Sequence, residues 1–117
     1  MRPHIGVITL GVDSLERSLA FYRDGLGLPT KGIMATEFEG DDVNPSGAVV
    51  MFHLEGGLIL ALYPRTELAK DAKVRLAPPA STEFSVAYLT NDKQEVDSIP
   101  AKARAAGATV TDCTVTV

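Results

Sequence analysis

The 117-residue sequence has one cysteine, two histidines and no tryptophan. A single cysteine excludes an internal disulfide bond and is typical of a protein that stays in the reducing cytoplasm. Cys113 has no histidine close to it in sequence, so we interpret it as a small residue of a late strand and not as a catalytic thiol. The two histidines, His4 and His53, lie far apart without a third histidine or a nearby cysteine that would complete a metal site.

The sequence also lacks basic runs and long apolar stretches. Eleven lysine and arginine residues stand against fifteen aspartate and glutamate residues, which gives a net charge of −4 and argues against nucleic acid or an anionic membrane as a partner. No stretch approaches the roughly 18 apolar residues of a membrane span, and the start MRPHIGVITL lacks the apolar core of a signal peptide. With 45% hydrophobic and 22% charged residues, the chain is expected to form one cytoplasmic globular domain.

The most informative stretch is TLGVDSLERSLAFYRDGLGL, residues 9–28. Aliphatic and β-branched residues over 5–12 predict a strand, and Asp13 or Ser14 then offers a side-chain oxygen that can cap a helix. The apolar positions of this helix recur at helical spacing: Leu15, Leu19 and Tyr22. Gly25 and Gly27 can take the left-handed conformation that ends a helix.

Further along the chain, the alternation of apolar residues predicts three more strands, over 30–39, 48–54 and 58–63. The last two flank Glu55-Gly56-Gly57, which predicts a hairpin, and the polar residues 40–47 predict an exposed loop. Residues 65–81 resemble a linker, in which Arg65–Asp71 could form one helical turn.

The second half repeats the order strand, capped helix, glycine, strand. A strand is predicted over 83–90, a helix capped by Asp92 and stopped by Gly107, and a β-prone tail over 109–117. Pro100 falls inside this helix, which therefore either kinks there or ends near Ile99 and restarts. The repeat indicates a duplicated architecture, with two unrelated strand-helix pieces in an α+β sandwich as the alternative.

The first stretch resembles the opening module of the vicinal oxygen chelate superfamily, which includes glyoxalase I, bleomycin-resistance proteins and extradiol dioxygenases. The residues that carry the resemblance are Val12, Asp13, Leu15, Ser18, Leu19, Phe21, Tyr22, Leu26 and Gly27. It implies an α+β fold of paired βαβββ modules within a single domain over 1–117. Residues 1–64 would be the first module, 65–81 a linker and 82–117 a partial second module.

Compared with that family, the sequence ends about two strands early. Three explanations are open, and the sequence does not rank them. The missing strands lie outside the given sequence, the chain is truncated, or a partner chain supplies the wall of the cleft that these strands would form. Because dimers and exchanged modules are common in the family, the resemblance implies a homodimer.

In metal-using members, side chains on the first and last strand of each module hold a divalent cation. The resemblance places three of these positions at Val7, at Leu60 or, one residue on, Ala61, and at Ser85. Aliphatic side chains cannot bind a metal and a serine hydroxyl is a poor ligand for such cations, so no metal cofactor is expected. His4 is interpreted as a surface residue and His53 as a partly exposed cross-strand residue.

Strand alternation places Ile8, Leu10 and Val12 toward the helix, and Val7 and Thr9 toward a concave cleft. We predict that the cleft binds its ligand through an apolar surface with a few hydroxyls, formed by Val7, Thr9, Phe52, Leu60, Leu62 and Ser85.

The favoured function is binding of a small, moderately hydrophobic molecule without a metal. The alternatives are a superfamily enzyme, either a lyase, an isomerase or a dioxygenase, whose unusual metal site is completed elsewhere, and a member that keeps the fold in a structural or interaction role.

Overall fold

The computed structural model describes residues 1–35, 39–80, 83–111 and 114–116. The strands in these ranges are β1 (Val7–Val12), β2 (Ile33–Met34), β3 (Val49–His53), β4 (Ile59–Pro64), β5 (Thr109–Thr111) and β6 (Thr114–Thr116). The helices are α1 (Leu15–Leu19), α2 (Arg65–Ala72) and α3 (Lys93–Ala105). A π-helical segment, Ala20–Gly25, extends α1, and a 3-10 turn, Glu55–Gly57, joins β3 to β4. Of the helices in the described ranges, none has the length and apolar character needed to span a bilayer.

The connection from β1 to α1 forms where the sequence predicted it. Of the two possible caps, Ser14 takes the position, and its Oγ accepts a hydrogen bond from the Arg17 backbone N–H at 3.2 Å. This bond satisfies one of the amides that the first turn of a helix leaves without a partner. The Asp13 carboxylate instead pairs with Arg65 at 3.2 Å, which ties the start of α1 to α2.

Strands β1 to β4 form one mixed sheet in the order β1-β4-β3-β2, which confirms the α+β class. β1 and β4 are parallel, whereas β4 pairs with β3 and β3 with β2 in antiparallel fashion. The predicted hairpin is confirmed, because Gly56 and Gly57 adopt positive φ angles of 82° and 92° between β3 and β4. Residues with a Cβ rarely adopt such angles, so the glycines allow the tight reversal.

One face of this sheet packs against α1 and forms the main hydrophobic core. The buried residues of this core are Leu10, Leu15, Leu19, Val50, Phe52, Leu60 and Leu62. Leu15 and Leu19 come from the predicted apolar stripe of α1, and Leu10 lies on the predicted helix-facing side of β1. The first half therefore folds around the contact of a single helix with a sheet.

The second predicted helix is also present. Asp92 caps α3 through its Oδ1, which accepts a hydrogen bond from the Gln94 N–H at 2.8 Å, and Gly107 follows the helix with a φ of 103°. The alternative in which the helix ends near Ile99 is wrong, since α3 continues through Pro100. Proline removes one backbone hydrogen bond, and the bonds of the remaining turns suffice to keep the helix continuous.

Three predicted strands differ from the structure. The strand predicted over 83–90 is wrong, because this segment pairs with no strand in the described part of the chain. The described part of the tail forms two short antiparallel strands, β5 and β6, and β2 spans only two residues of the predicted 30–39. Apolar alternation favours an extended chain, but a strand also needs a neighbouring backbone as partner. Residues 36–38, 81–82, 112–113 and 117, including Cys113, lie outside the described residues.

The helix α3 joins the first half through the π-helical segment. Phe21 of that segment, Ala103 of α3 and Ala108 form a second buried cluster. Gly25 lies so close to Ala106 that a Cβ at position 25 would overlap the Cβ of Ala106. The two halves therefore touch through a helix contact that depends on a glycine.

Substituting Gly25 with alanine should destabilise the protein by about 1–3 kcal/mol, because the added methyl group overpacks the contact with α3. Chemical denaturation of both proteins measures this change. The control is Gly6→Ala, since nothing lies within 4 Å of a Cβ there. Combining Gly25→Ala with Ala106→Gly should restore most of the lost stability. A G25A protein as stable as G6A would contradict the contact.

Candidate functional site

The strand register places two different rows of side chains on the two faces of the sheet. Val7 pairs with Ile59 and Thr9 with Ala61 across the parallel ladder, while Met51 pairs with Ala61 across the antiparallel one. Paired residues point to the same side of a sheet and successive residues to opposite sides. The face away from α1, here called the open face, therefore includes Gly11 and Met34 and eight further residues: Val7, Thr9, Val49, Met51, His53, Ile59, Ala61 and Tyr63.

The open face is largely apolar and carries no Asp, Glu, Lys or Arg among these eight residues. Val7 is 48% exposed, Thr9 and His53 are also exposed, and Val49, Met51, Ile59 and Tyr63 are half-buried. Ala61, on the central strand β4, is only 2% exposed. An uncharged, partly exposed surface of this kind can bind apolar molecules by burial, with hydrogen bonds from Thr9, His53 or Tyr63.

Three of the predicted cleft residues lie on the other face. Leu60, Leu62 and Phe52 are 7%, 0% and 0% exposed in the core beneath α1, so their predicted placement beside Val7 and Thr9 is wrong. The cause is a shift of one residue in β4 and β3, which moves every side chain of a strand to the opposite face. Val7 and Thr9 themselves do lie on the face away from α1.

Ser85 is not brought to the open face by any strand pairing. It lies in the exposed, irregular segment 83–90. Because a serine in such a segment has no register with the sheet, the ladder that orients Val7 and Thr9 does not orient Ser85.

The sequence reasoning missed Ile59, Tyr63 and the position of His53 on the open face, and it offered Ala61 only as the alternative to Leu60. One signal was present: in VVMFH, the polar His53 ends the series that contains Val49 and Met51, which marks that series as the one outside the core. The pairing of β4 with β1 joins segments about fifty residues apart, and no local pattern reveals its register.

The two metal-ligand positions that the resemblance assigns to the first module are Val7 and, after the one-residue shift, Ala61. Both lie on the open face, on adjacent strands, and neither side chain has an atom that can donate to a cation. In the described part of the chain, no group of three or more His, Cys, Asp and Glu residues could hold a metal ion. The residues present therefore do not fit the metal that family members bind between such strands.

The helix α2 covers one end of the open face. A Cβ at Gly11 would lie 3.0 Å from the Arg65 Cγ and 3.2 Å from the Leu68 Cδ2, so α2 lies directly on the glycine. The Arg65 guanidinium bridges Asp13 and the backbone carbonyl of Ala77. These contacts hold α2 and the chain that follows it against the C-terminal ends of β1 and β4.

The loop before β3 is attached at the same end. Tyr63 donates a hydrogen bond from its Oη to the Ser46 carbonyl, and the Ser46 N–H donates to Glu67 Oε1 at 3.3 Å. The pKa of Glu67 is lowered mainly by the hydrogen bond that its carboxylate accepts from Lys70. Within the loop, hydrogen bonds from Asn44 and from the Val43 N–H lower the pKa of Asp41 to about 2. The helix α2 and the loop before β3 therefore form a wall at this end of the open face.

Polar side chains lie beyond the opposite end. His53 is the last residue of β3, and Glu55 follows in the turn. The Glu95 carboxylate accepts hydrogen bonds from Tyr88 Oη at 2.8 Å and Thr90 Oγ1 at 2.7 Å. The bond to Glu95 is the largest cause that raises the pKa of Tyr88, and the negative charge of Glu55 adds to it.

The order β1-α1-β2-β3-β4 is the βαβββ order that the family resemblance implies. The family model described as Glyoxalase/Bleomycin resistance protein/Dioxygenase superfamily matches residues 4–114. The chain belongs to this superfamily. No match to a curated protein was found.

Solved structures share the fold. A glyoxalase-related enzyme from Fulvimarina pelagi superimposes with a TM-score of 0.71 at 24% identity, over 93% of this chain and 68% of that chain. A glyoxalase/bleomycin resistance protein/dioxygenase from Nocardioides gives 0.62 at 23% identity, over 96% and 67%. A lactoylglutathione lyase from Agrobacterium tumefaciens gives 0.59 at 25% identity, over 96% and 76%.

Proposed function

We propose that the protein binds a small, moderately hydrophobic molecule on the open face, without a metal ion held by that face. The observation that carries this proposal is the uncharged open face, on which Val7, 48% exposed, and Ala61, 2% exposed, stand at the positions that the resemblance assigns to metal ligands. Aliphatic side chains at these positions leave no donor atoms for a cation and make the open face an apolar binding surface. Its apolar part is here called the floor.

Burial of apolar surface supplies the driving force. Each 100 Å² of apolar surface removed from water contributes about 2.5 kcal/mol, part of which is offset by the loss of freedom on binding. The half-buried residues Met51 and Ile59 add to the floor, and α2 forms a wall at one end. Methionine adapts its shape readily, which suits a ligand that is recognised mainly by its apolar body.

Replacing Val7 with glutamate should weaken the binding of an apolar probe, naphthalene, by about ten-fold or more, because a charge on the floor must lose water when the probe binds. Fluorescence titration measures the affinity, and the absence of tryptophan leaves the probe signal unobscured.

The matched control is Val96→Glu, since Val96 is an exposed valine of α3, 57% exposed and outside the open face. The V96E protein should bind naphthalene as the unmodified protein does. Equal loss in both variants, or no naphthalene binding by the unmodified protein, would contradict the proposal.

The alternative is an enzyme, because one similar structure is a lactoylglutathione lyase and another a glyoxalase-related enzyme. Such an activity would require metal ligands from outside the described residues of this chain. The two functions differ in their metal content, since a protein that binds by burial alone needs no cation.

Elemental analysis of protein purified without chelators should therefore find Ni, Zn, Fe and Mn well below one ion per chain. A protein with His4→Gln controls for metal bound at a histidine outside the open face. Near-stoichiometric metal that persists in this control would favour the enzyme.

We also propose that two copies associate. The chain exposes 8890 Å², whereas a compact monomer of 12.4 kDa exposes about 6,100 Å². The radius of gyration, 15.4 Å, likewise exceeds the value of about 13 Å expected for this length. Apolar side chains of segment 83–90 contribute to the excess: Phe84, Val86, Tyr88 and Leu89. The excess is as large as a stable protein interface.

Light scattering after size exclusion should give twice the 12.4 kDa of one chain. Val86→Asp should shift the protein toward the monomer, because it places a charge in the buried contact. Val74→Asp is the control, with Val74 62% exposed against 64% for Val86. A monomeric unmodified protein would rule out the association.

A further inference from the structure

We propose that His53 is the residue that selects the ligand of the open face, by hydrogen-bonding one polar group on an otherwise apolar, uncharged molecule. The inference rests on the proposed binding function and adds to it a chemical class of ligand. It concerns a position on β3, a strand that carries none of the assigned metal-ligand positions.

The ladder fixes where His53 lies on the open face. His53 pairs with Ile59, and Ile59 pairs with Val7, so these three residues form one row across three strands. With strands about 4.8 Å apart, the row is about 10 Å wide, with the imidazole at one end. Met51 lies on the same face two residues away, about 7 Å along the strand. A molecule on this floor would have the imidazole at its margin.

The imidazole of His53 is exposed and has no hydrogen bond or ion pair with the described residues. It can therefore donate to a ligand through one ring nitrogen or accept through the other. Of the hydroxyls on the open face, that of Tyr63 already donates to the Ser46 carbonyl. Thr9 offers a hydroxyl from the neighbouring row of β1. His53 is thus the free hydrogen-bonding side chain of the row that contains Val7 and Ile59, and separate ring nitrogens allow it to donate and to accept.

The surrounding charges indicate an uncharged partner. The open face carries no lysine or arginine, so an anion would find no counter-charge there. Glu55, two residues beyond His53, would repel an anion further. A cation would have to lose its water against Val7, Ile59 and Met51, which is costly without a direct partner. A hydroxyl or carbonyl group on an apolar body satisfies both conditions.

Three probes test the inference: naphthalene, 2-naphthol and 2-naphthoate, which share one apolar body. The unmodified protein should bind 2-naphthol more tightly than naphthalene, and 2-naphthoate more weakly than 2-naphthol. His53→Leu should weaken 2-naphthol about 5- to 10-fold, the usual effect of one lost hydrogen bond, and leave naphthalene within about two-fold. His53→Gln, which keeps a donor and an acceptor, should retain most of the 2-naphthol affinity.

The control is His4→Leu, because His4 precedes β1 and lies outside the ladder; this variant should bind all three probes as the unmodified protein does. Unchanged 2-naphthol affinity in H53L, or equal losses for 2-naphthol and naphthalene, would overturn the role of His53. Tighter binding of 2-naphthoate than of 2-naphthol would overturn the uncharged class. In each of these results naphthalene still binds, so they leave the proposed function intact; failure of naphthalene to bind the unmodified protein overturns both.

Discussion

The parallel pairing of β1 with β4 is the interaction on which the rest of the structure depends. It joins residues about fifty positions apart and sets both faces of the sheet at once. Leu10 and Leu62 meet on the side that α1 covers, while Val7 and Ile59 meet on the opposite side. Because side chains alternate along a strand, a shift of one residue would bury the open face and expose the core. Core packing therefore also determines which residues a ligand can reach.

Glycines determine what lies next to this sheet. Gly11 leaves room for Arg65 and Leu68, so α2 lies against one end of the open face. Gly25 leaves room for Ala106, so α3 can pack on the π-helical segment. The first contact forms a wall beside the candidate site, and the second joins the two halves of the chain. The open face remains accessible at the end where His53 lies.

Within the superfamily, the chain combines a shared fold with an apolar surface on the open face. Val7 and Ala61 stand at the positions that the resemblance assigns to the ligands of metal-using members, and neither offers a donor atom. A cation site and an apolar floor are thus two uses of one backbone arrangement, and side-chain identity at two positions separates them. Activity within the family therefore depends on the side chains at the site and not on the fold alone.

Local features were predictable from the sequence because they depend on neighbouring residues. The cap of α1 at Ser14, the hairpin at Glu55–Gly57 and the end of α3 at Gly107 each follow from a short-range hydrogen bond or a glycine φ angle. The βαβββ order followed from the sequence as well. The face of Leu60, Leu62 and Phe52 did not, because it depends on the register between distant strands. Segment 83–90 has a strand-like sequence, but it has no partner strand in the described structure. It therefore forms no strand, because a β-strand is stable only beside another backbone.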